Sequence, residues 1–481
     1  MKKILLLLCA CMSFGAFAQT ITWSAPVVVY SGSGSNLHPR VSVVRNGDPV
    51  VLWGKTDTRA YFSRWNGTGF PAPTTVSGML TVFAQTWAGP DMATFGDTIY
   101  ATMKVTPEGV NTNYSYLVHS YNGGMTFSAP VRVDNIDTSL SRFPVVTTTY
   151  NGNPLVSFMK FNAAFGDAHY NVVRSSDFGM TFSSDVLASG MGTNVCDCCP
   201  ASVISSPSKT IMLFRNVVGG IRDMYAGISS DGGATFPTTM QVDNTNWMLS
   251  SCPSSGPDGV LIGDSLYTVF MSAATGSTLV YMSRSSITTM GSATSPITGS
   301  LSGVSNQNFP RIAASGNAVA EVWRQTVGSS SQGCLKFTDN ISSGFPATFD
   351  TVATGSITNI DVAVAPGVVH VVWEDDNTGT VMYRKGTYPT SSTSIDASSL
   401  ASAEINVYPN PANEELTVKV GNYSKPYTVT LVSTAGQVVR SLSGTSAALI
   451  IKTQDLAKGN YILDITNEKG DKQSKKIEIT H

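Results

Sequence analysis

The stretch RSSDFGMTFSS, Arg174–Ser184, spells out a complete turn, and the chain writes it again as SSDGGATF from Ser229. Each residue of the octet has a physical role in a seam between two strands. Asp177 and Asp231 are short acceptors that cap the backbone N–H groups of a tight turn. Gly179 and Gly233 tolerate positive φ, and Phe182 and Phe236 begin the returning strand, with Ser175, Thr181, Ser229 and Thr235 as small polar neighbours. A repeated turn implies a repeated hairpin.

Aligned on this octet, Ser63, Ser120, Ser175, Ser229, Ser283 and Thr338 stand 57, 55, 54, 54 and 55 residues apart. A fixed step of that size marks an array of one structural unit. A second marker runs in phase: Pro39, Pro90, Pro144, Pro200, Pro253 and Pro310, with Asp361 in a seventh copy. One unit reads as four short strands, PDMATFG, TIYATMKV, NYSYLVHS and TFSAPVRV. Such units with no helical periodicity predict an all-β propeller, seven four-stranded blades being favoured and six the fallback. The last unit offers only three strands before its text changes. The missing one stands at the other end, where TWSAPVVV from Thr22 parallels TFSAPVRV from Thr126, so the N-terminal strand is expected to close the ring.

The expected organisation is a signal peptide over 1–18, a propeller over 19–389, a linker over 390–403 and a small β-sandwich over 404–481. Lys2-Lys3, the apolar run to Cys11 and Ala16-Phe17-Ala18 before Gln19 form a secretory signal, with LCAC a looser lipoprotein-type match. No other apolar run is long enough to span a bilayer. The chain has 481 residues, is 13% charged and carries a formal net charge of −2, so nothing draws it generally to nucleic acid. Five cysteines follow the signal, and an exported chain is expected to pair them, leaving Cys334 free.

The octets match the Asp-box, S-x-D-x-G-x-T-[FW], twice in full and once with Asn122 for Asp. On these phased motifs the region from Thr22 to about Lys385 resembles the sialidase-like BNR-repeat propellers. The C-terminal part resembles the type A sorting domain of the type IX secretion system, through VYPNP (Val407–Pro411), STAGQVV (Ser433–Val439) and LAKGNYIL (Leu456–Leu463). That second resemblance implies handling by the type IX machinery and a secreted or cell-surface location. The first implies, for an active sialidase, three arginines on a carboxylate, a tyrosine nucleophile activated by a glutamate, and an aspartate acid/base. Here HPRV at Arg40 and SRFP at Arg142 match the family's Arg-Ile-Pro only in part, and the spacing of Tyr383 and Glu374 does not show that they meet.

Propeller geometry places the Asp-box turns on one face and the phased prolines on the other. The second face is expected to gather Arg40, Arg142, Arg215, Arg222, Asp223, Arg311 and Arg324 with Asp91, Asp361 and Glu374, a mainly cationic set suited to a carboxylate. The expected function is binding of an anionic glycan or glycoprotein without cofactor or metal. A sialidase-type hydrolase and a protein-binding adhesin are the alternatives. NVCDCCPAS and SSCPSSGP place Cys196, Cys198, Cys199 and Cys252 at the start of adjacent blades. Disulfides there, with Cys199 and Cys252 within reach of each other, are the favoured reading, and a thiolate site for zinc or copper is the other.

Overall fold

The computed structural model describes residues 21–480 apart from 33–34, 56–58, 111, 135–139, 163, 391–403, 422–425, 435, 445–447 and 468–469. The expected signal peptide and nearly all of the expected linker therefore lie outside the described residues. Seven antiparallel sheets of at least four strands follow one another through the first part of the chain. Their first strands are Asn36–Val43, Asp91–Phe95, Leu140–Thr148, Ser202–Ser205, Asp258–Ile262, Val304–Ser315 and Ile357–Ala365. Each of these strands touches the first strand of the next sheet, and the seventh touches the first. The array is a closed propeller.

Side-chain alternation explains the packing. In Thr210–Arg215 every residue is buried, because both faces of the sheet are covered. Ile211 and Leu213 join Leu266 and Phe270 of the fifth sheet, whereas Met212 and Phe214 join Met159 and Tyr170 of the third. A cluster of this kind lies between every neighbouring pair of sheets, including one in which Val41 and Trp53 meet Val372 and Tyr383 across the closure. The N-terminal segment completes the seventh sheet: Thr22 and Trp23 pair with Thr387 and Gly386, and Val27 and Val28 with Tyr383 and Met382. Trp23 also donates its indole N–H to Asp350 at 2.8 Å.

The octets lie in the turns between third and fourth strands. Ser175 donates its hydroxyl to Asp177 Oδ1 at 2.8 Å and accepts from Gly179 N–H at 2.8 Å, while Asp177 Oδ1 accepts from Thr181 N–H at 2.9 Å. Ser229, Asp231, Gly233 and Thr235 repeat this set, and at Ser120 the Asn122 amide oxygen does the work of the aspartate. Gly179 and Gly233 have φ of 92° and 83°. Phe182 and Phe236 do not start the returning strands, which begin only at Val186 and Thr238; their rings instead pack into the clusters between sheets. Asp231→Ala should cost about 1–2 kcal/mol in chemical denaturation.

Beyond residue 403 a three-stranded sheet (Glu404–Tyr408, Glu415–Gly421, Ala448–Lys452) faces a four-stranded one (Tyr427–Ser433, Val438–Gly444, Gly459–Asn467, Lys472–Ile479). Leu416, Val418, Val429, Leu431, Leu463 and Ile477 fill the space between them. This is the β-sandwich expected from the alternating C-terminal text.

Candidate functional site

Four first strands carry an irregularity at one phase: between Leu37 and Arg40, Arg142 and Val145, Asn308 and Arg311, and Ile357 and Ile360. In three of them the residue before the proline has positive φ, at His38 (57°), Phe143 (51°) and Phe309 (50°). Left-handed backbone at a non-glycine residue is strained, and a bulge re-aims the side chains around it. The rim of the central axis is built from these bulges. His38, Trp87, Phe143, Phe309, Arg311 and Asn359 line one shallow concave mouth.

Below the rim, three aspartates hold successive sheets together. Asp91, Asp258 and Asp361 accept the backbone N–H of Val146, Ile312 and Val41 at 2.9, 3.0 and 2.9 Å, each from the next sheet round the ring. This common bond fixes the phase. The residue before Asp258 is Pro257, so the fifth sheet's proline is Pro257 and not Pro253, which lies four positions earlier in a loop. Asp258 was not singled out from the text for that reason; a phase taken from the aspartates would have found it.

The arginines are not a free cationic set. Arg40 is buried 3.5 Å from Asp91 and donates to Pro39 O and to His38 Nε2. His38 therefore accepts at Nε2 and points Nδ1 at Thr86 O, and burial together with the charges of Arg40 and Arg311 holds its pKa well below the ordinary histidine value. Arg311 Nε lies 3.1 Å from Asp361 and 3.4 Å from Asp258. Burial opposes the Arg311 charge, but Asp258 and Asp361 outweigh it and raise its pKa. The axis thus sets two guanidiniums against three carboxylates, correcting the expected cationic balance.

The other arginines serve the frame. Arg142 pairs with Glu108 at 2.8 Å beneath the Trp87 and Phe143 rings. Arg215 is 1% exposed and donates to the carbonyls of Ser255, Arg222 and Met271. Arg324 donates to the carbonyls of Ile357 and Asn306. Asp223 is buried and accepts from the backbone of Asn246 and Trp247. Glu374 is buried, accepts from His38 N–H at 2.7 Å and from Asn359 at 3.2 Å, and burial pushes its pKa up to about 8. Tyr383 does not meet it: the Tyr383 hydroxyl bonds His370 Nδ1 at 2.8 Å. Among the described residues, those lining the mouth include no tyrosine.

The cysteines converge at the rim between the fourth and fifth sheets. Cys198, not Cys199, is disulfide-bonded to Cys252. That bond takes two sulfurs out of any set of thiolate ligands. Cys196 and Cys199 are buried free thiols with sulfurs 3.2 Å apart, and Cys196 Sγ lies 3.5 Å from Cys198 Sγ. Arg222, besides donating to Leu249 O, places a guanidinium nitrogen 2.9 Å from Cys196 Sγ. The Cys199 hydrogen bond and the Arg222 charge pull the Cys196 thiol down to about 6, and burial pushes Cys199 up. Cys334 is likewise free and buried.

Residues 406–480 match the secretion system C-terminal sorting domain. That domain marks the chain for export through the type IX secretion system, to the cell surface or beyond. No helix among the described residues is long and apolar enough to cross a membrane. No curated protein matches the chain. Among solved structures, the chain is similar to the Hadza microbial sialidase Hz136, at 12% identity and a TM-score of 0.42 over 73% of this chain and 66% of that one. It is also similar to an ulvan lyase bound to -[GlcA(1-4)Rha3S]-, at 12% identity and a TM-score of 0.48 over 76% and 94%. An α-L-arabinofuranosidase from Fusarium graminearum matches at 11% identity and a TM-score of 0.41 over 76% and 98%. These likenesses concern the fold alone.

Proposed function

We propose that this exported propeller holds an acidic glycan at its axial mouth without cleaving it. The observation that carries the reading is the set of bulged first strands, which spend backbone strain to turn aromatic rings and a charged arginine into one concavity. Trp87 and Phe309 are half-exposed there and offer flat apolar faces to a sugar ring. Arg311 is bonded to its aspartates through Nε, and its two terminal nitrogens make no hydrogen bond among the described residues, so they remain for an anionic substituent. Non-catalytic binding is favoured because Glu374 is shut behind His38 and Asn359, apart from Tyr383.

The test uses the full chain on an oligosaccharide array that includes sialylated and uronate-bearing sugars, with fluorogenic sialosides and uronides alongside. Saturable binding without turnover is expected, and Trp87→Ala should weaken it about tenfold or more, roughly 1.4 kcal/mol, while leaving the thermal transition in place. Turnover of any of these substrates would replace the reading with a hydrolase. Binding of no sugar at all would move it to a protein-binding adhesin.

A further inference from the structure

We propose that the four cysteines at the rim form a thiol–disulfide exchange centre, in which Cys196 attacks the Cys198–Cys252 disulfide and the bond passes to Cys196 and Cys199. The placement of the sulfurs carries this. A disulfide that served only as a staple between the fourth and fifth sheets needs two cysteines, yet two further thiols are packed against it. Cys196 Sγ lies 3.5 Å from one sulfur of the bond and 3.2 Å from the thiol able to resolve the intermediate. The two sides of the disulfide also differ: Cys252 is exposed, whereas Cys196 and Cys199 are each 1% exposed.

The chemistry balances without an outside reagent. The Cys196 thiolate attacks Cys198 Sγ, forming a Cys196–Cys198 bond while Cys252 leaves as a thiolate at the surface. Cys199 then loses its proton, which the Cys252 thiolate takes up, and attacks Cys196 Sγ. The Cys196–Cys198 bond breaks and Cys198 leaves as a thiolate. One disulfide, one thiol and one thiolate have become a buried disulfide and a reduced pair, the half-buried Cys198 and the exposed Cys252. Thiolate character at the attacking sulfur and access at the leaving one are what such exchange requires. Arg222 supplies the first through its contact with Cys196, so Arg222 is a positioning residue for the exchange. The consequence is mechanical: in the second pairing the Cys198–Cys252 cross-link between the start of the fourth sheet and the start of the fifth is gone.

The experiment takes the full chain, fully reduces it, and reoxidises it with one equivalent of a low-molecular-weight disulfide, which accepts two electrons and two protons per chain. Free thiols are then alkylated and the bonds mapped by proteolysis without reduction. Cys196, Cys198 and Cys199 fall on one tryptic peptide and Cys252 on another, so the two pairings are distinguished by whether the peptides are joined. Two one-disulfide populations are expected, one joined through Cys252 and one with Cys252 alkylated and an internal Cys196–Cys199 bond. Cys199→Ser should accumulate the Cys196–Cys198 intermediate, and Cys196→Ser should show only the joined form. Arg222→Gln should slow the interconversion about tenfold and, because Arg222 stabilises the Cys196 thiolate of the first pairing, shift the populations toward the internal bond. The proposal is overturned if the reoxidised chain shows only Cys198–Cys252. It is equally overturned if chains carry either no disulfide or two, since the bonds would then be independent staples, or if a retained metal ion shields all four thiols.

Discussion

A chain from which Thr22–Tyr30 has been removed, downstream of an intact leader, is expected to lose the cooperative unfolding of its propeller. Those residues supply the outermost strand of the seventh sheet, with Val29 buried and Val27 and Tyr30 packed against Val381 and Tyr383. Fully burying one such side chain is worth about 1.5–3 kcal/mol. One buried and two partly buried side chains, the Trp23–Asp350 bond and the lost strand pairing together amount to about 5 kcal/mol, against a total stability of roughly 5–15 kcal/mol for a domain. The damage would not stay local, because the seventh sheet also packs on the first. Tryptophan-fluorescence denaturation should show a broadened transition at low denaturant, and limited proteolysis should open the seventh sheet first. A synthetic peptide covering Thr22–Tyr30 should restore the transition when added back. If the shortened chain unfolds within about 1 kcal/mol of the intact one, closure by the N-terminal segment is not what holds the ring.

The fold was legible because its signals are periodic. The step of the repeated octet and the four-strand text within each unit are local, and TWSAPVVV closely repeats TFSAPVRV. The mouth was harder to read, since it depends on register. Pro253 and Pro257 both satisfy a coarse spacing, and only the shared bond from Asp91, Asp258 and Asp361 to the next sheet separates them. Choosing Pro253 hid Asp258 and put Cys199 rather than Cys198 opposite Cys252. The arginines show a second limit. Their position at one face followed from strand order, but whether a guanidinium meets solvent, a carbonyl or a carboxylate is a tertiary matter. Arg215 satisfies three carbonyls and Arg40 an aspartate, and nothing in LFRN or HPRV distinguishes those fates from ligand binding. His38 and Phe309 were missed as mouth residues because positive φ before a proline leaves no compositional mark.

Glu321→Gln is expected to stabilise the propeller increasingly as the pH is raised. Glu321 lies in the second strand of the sixth sheet, is 1% exposed, and its Oε2 has no hydrogen-bond partner. Burial pushes its pKa from 4.5 up to about 8, with Lys336 across the strand pair pulling weakly the other way. Below 4.5 both the folded and unfolded chains carry the proton, and the group costs nothing through ionisation. Between 4.5 and 8 the unfolded chain is ionised while the folded chain keeps its proton, so unfolding releases a proton and stability falls as pH rises. Above about 8 the penalty is complete, at most about 5 kcal/mol for a shift of this size. Glutamine keeps the volume and removes the ionisation. Guanidinium denaturation at pH 4.5, 6.5 and 8.5 should therefore give a small difference at the first pH and the largest at the last. Glu374, raised by burial to a similar value, remains in both chains, so the variant retains part of the slope. Lys336→Met removes the one nearby charge that favours the carboxylate and should steepen the native dependence. A Glu321→Gln difference that is the same at all three pH values would mean that the carboxyl is ionised in the fold, and that the Lys336 charge, rather than burial, sets its state.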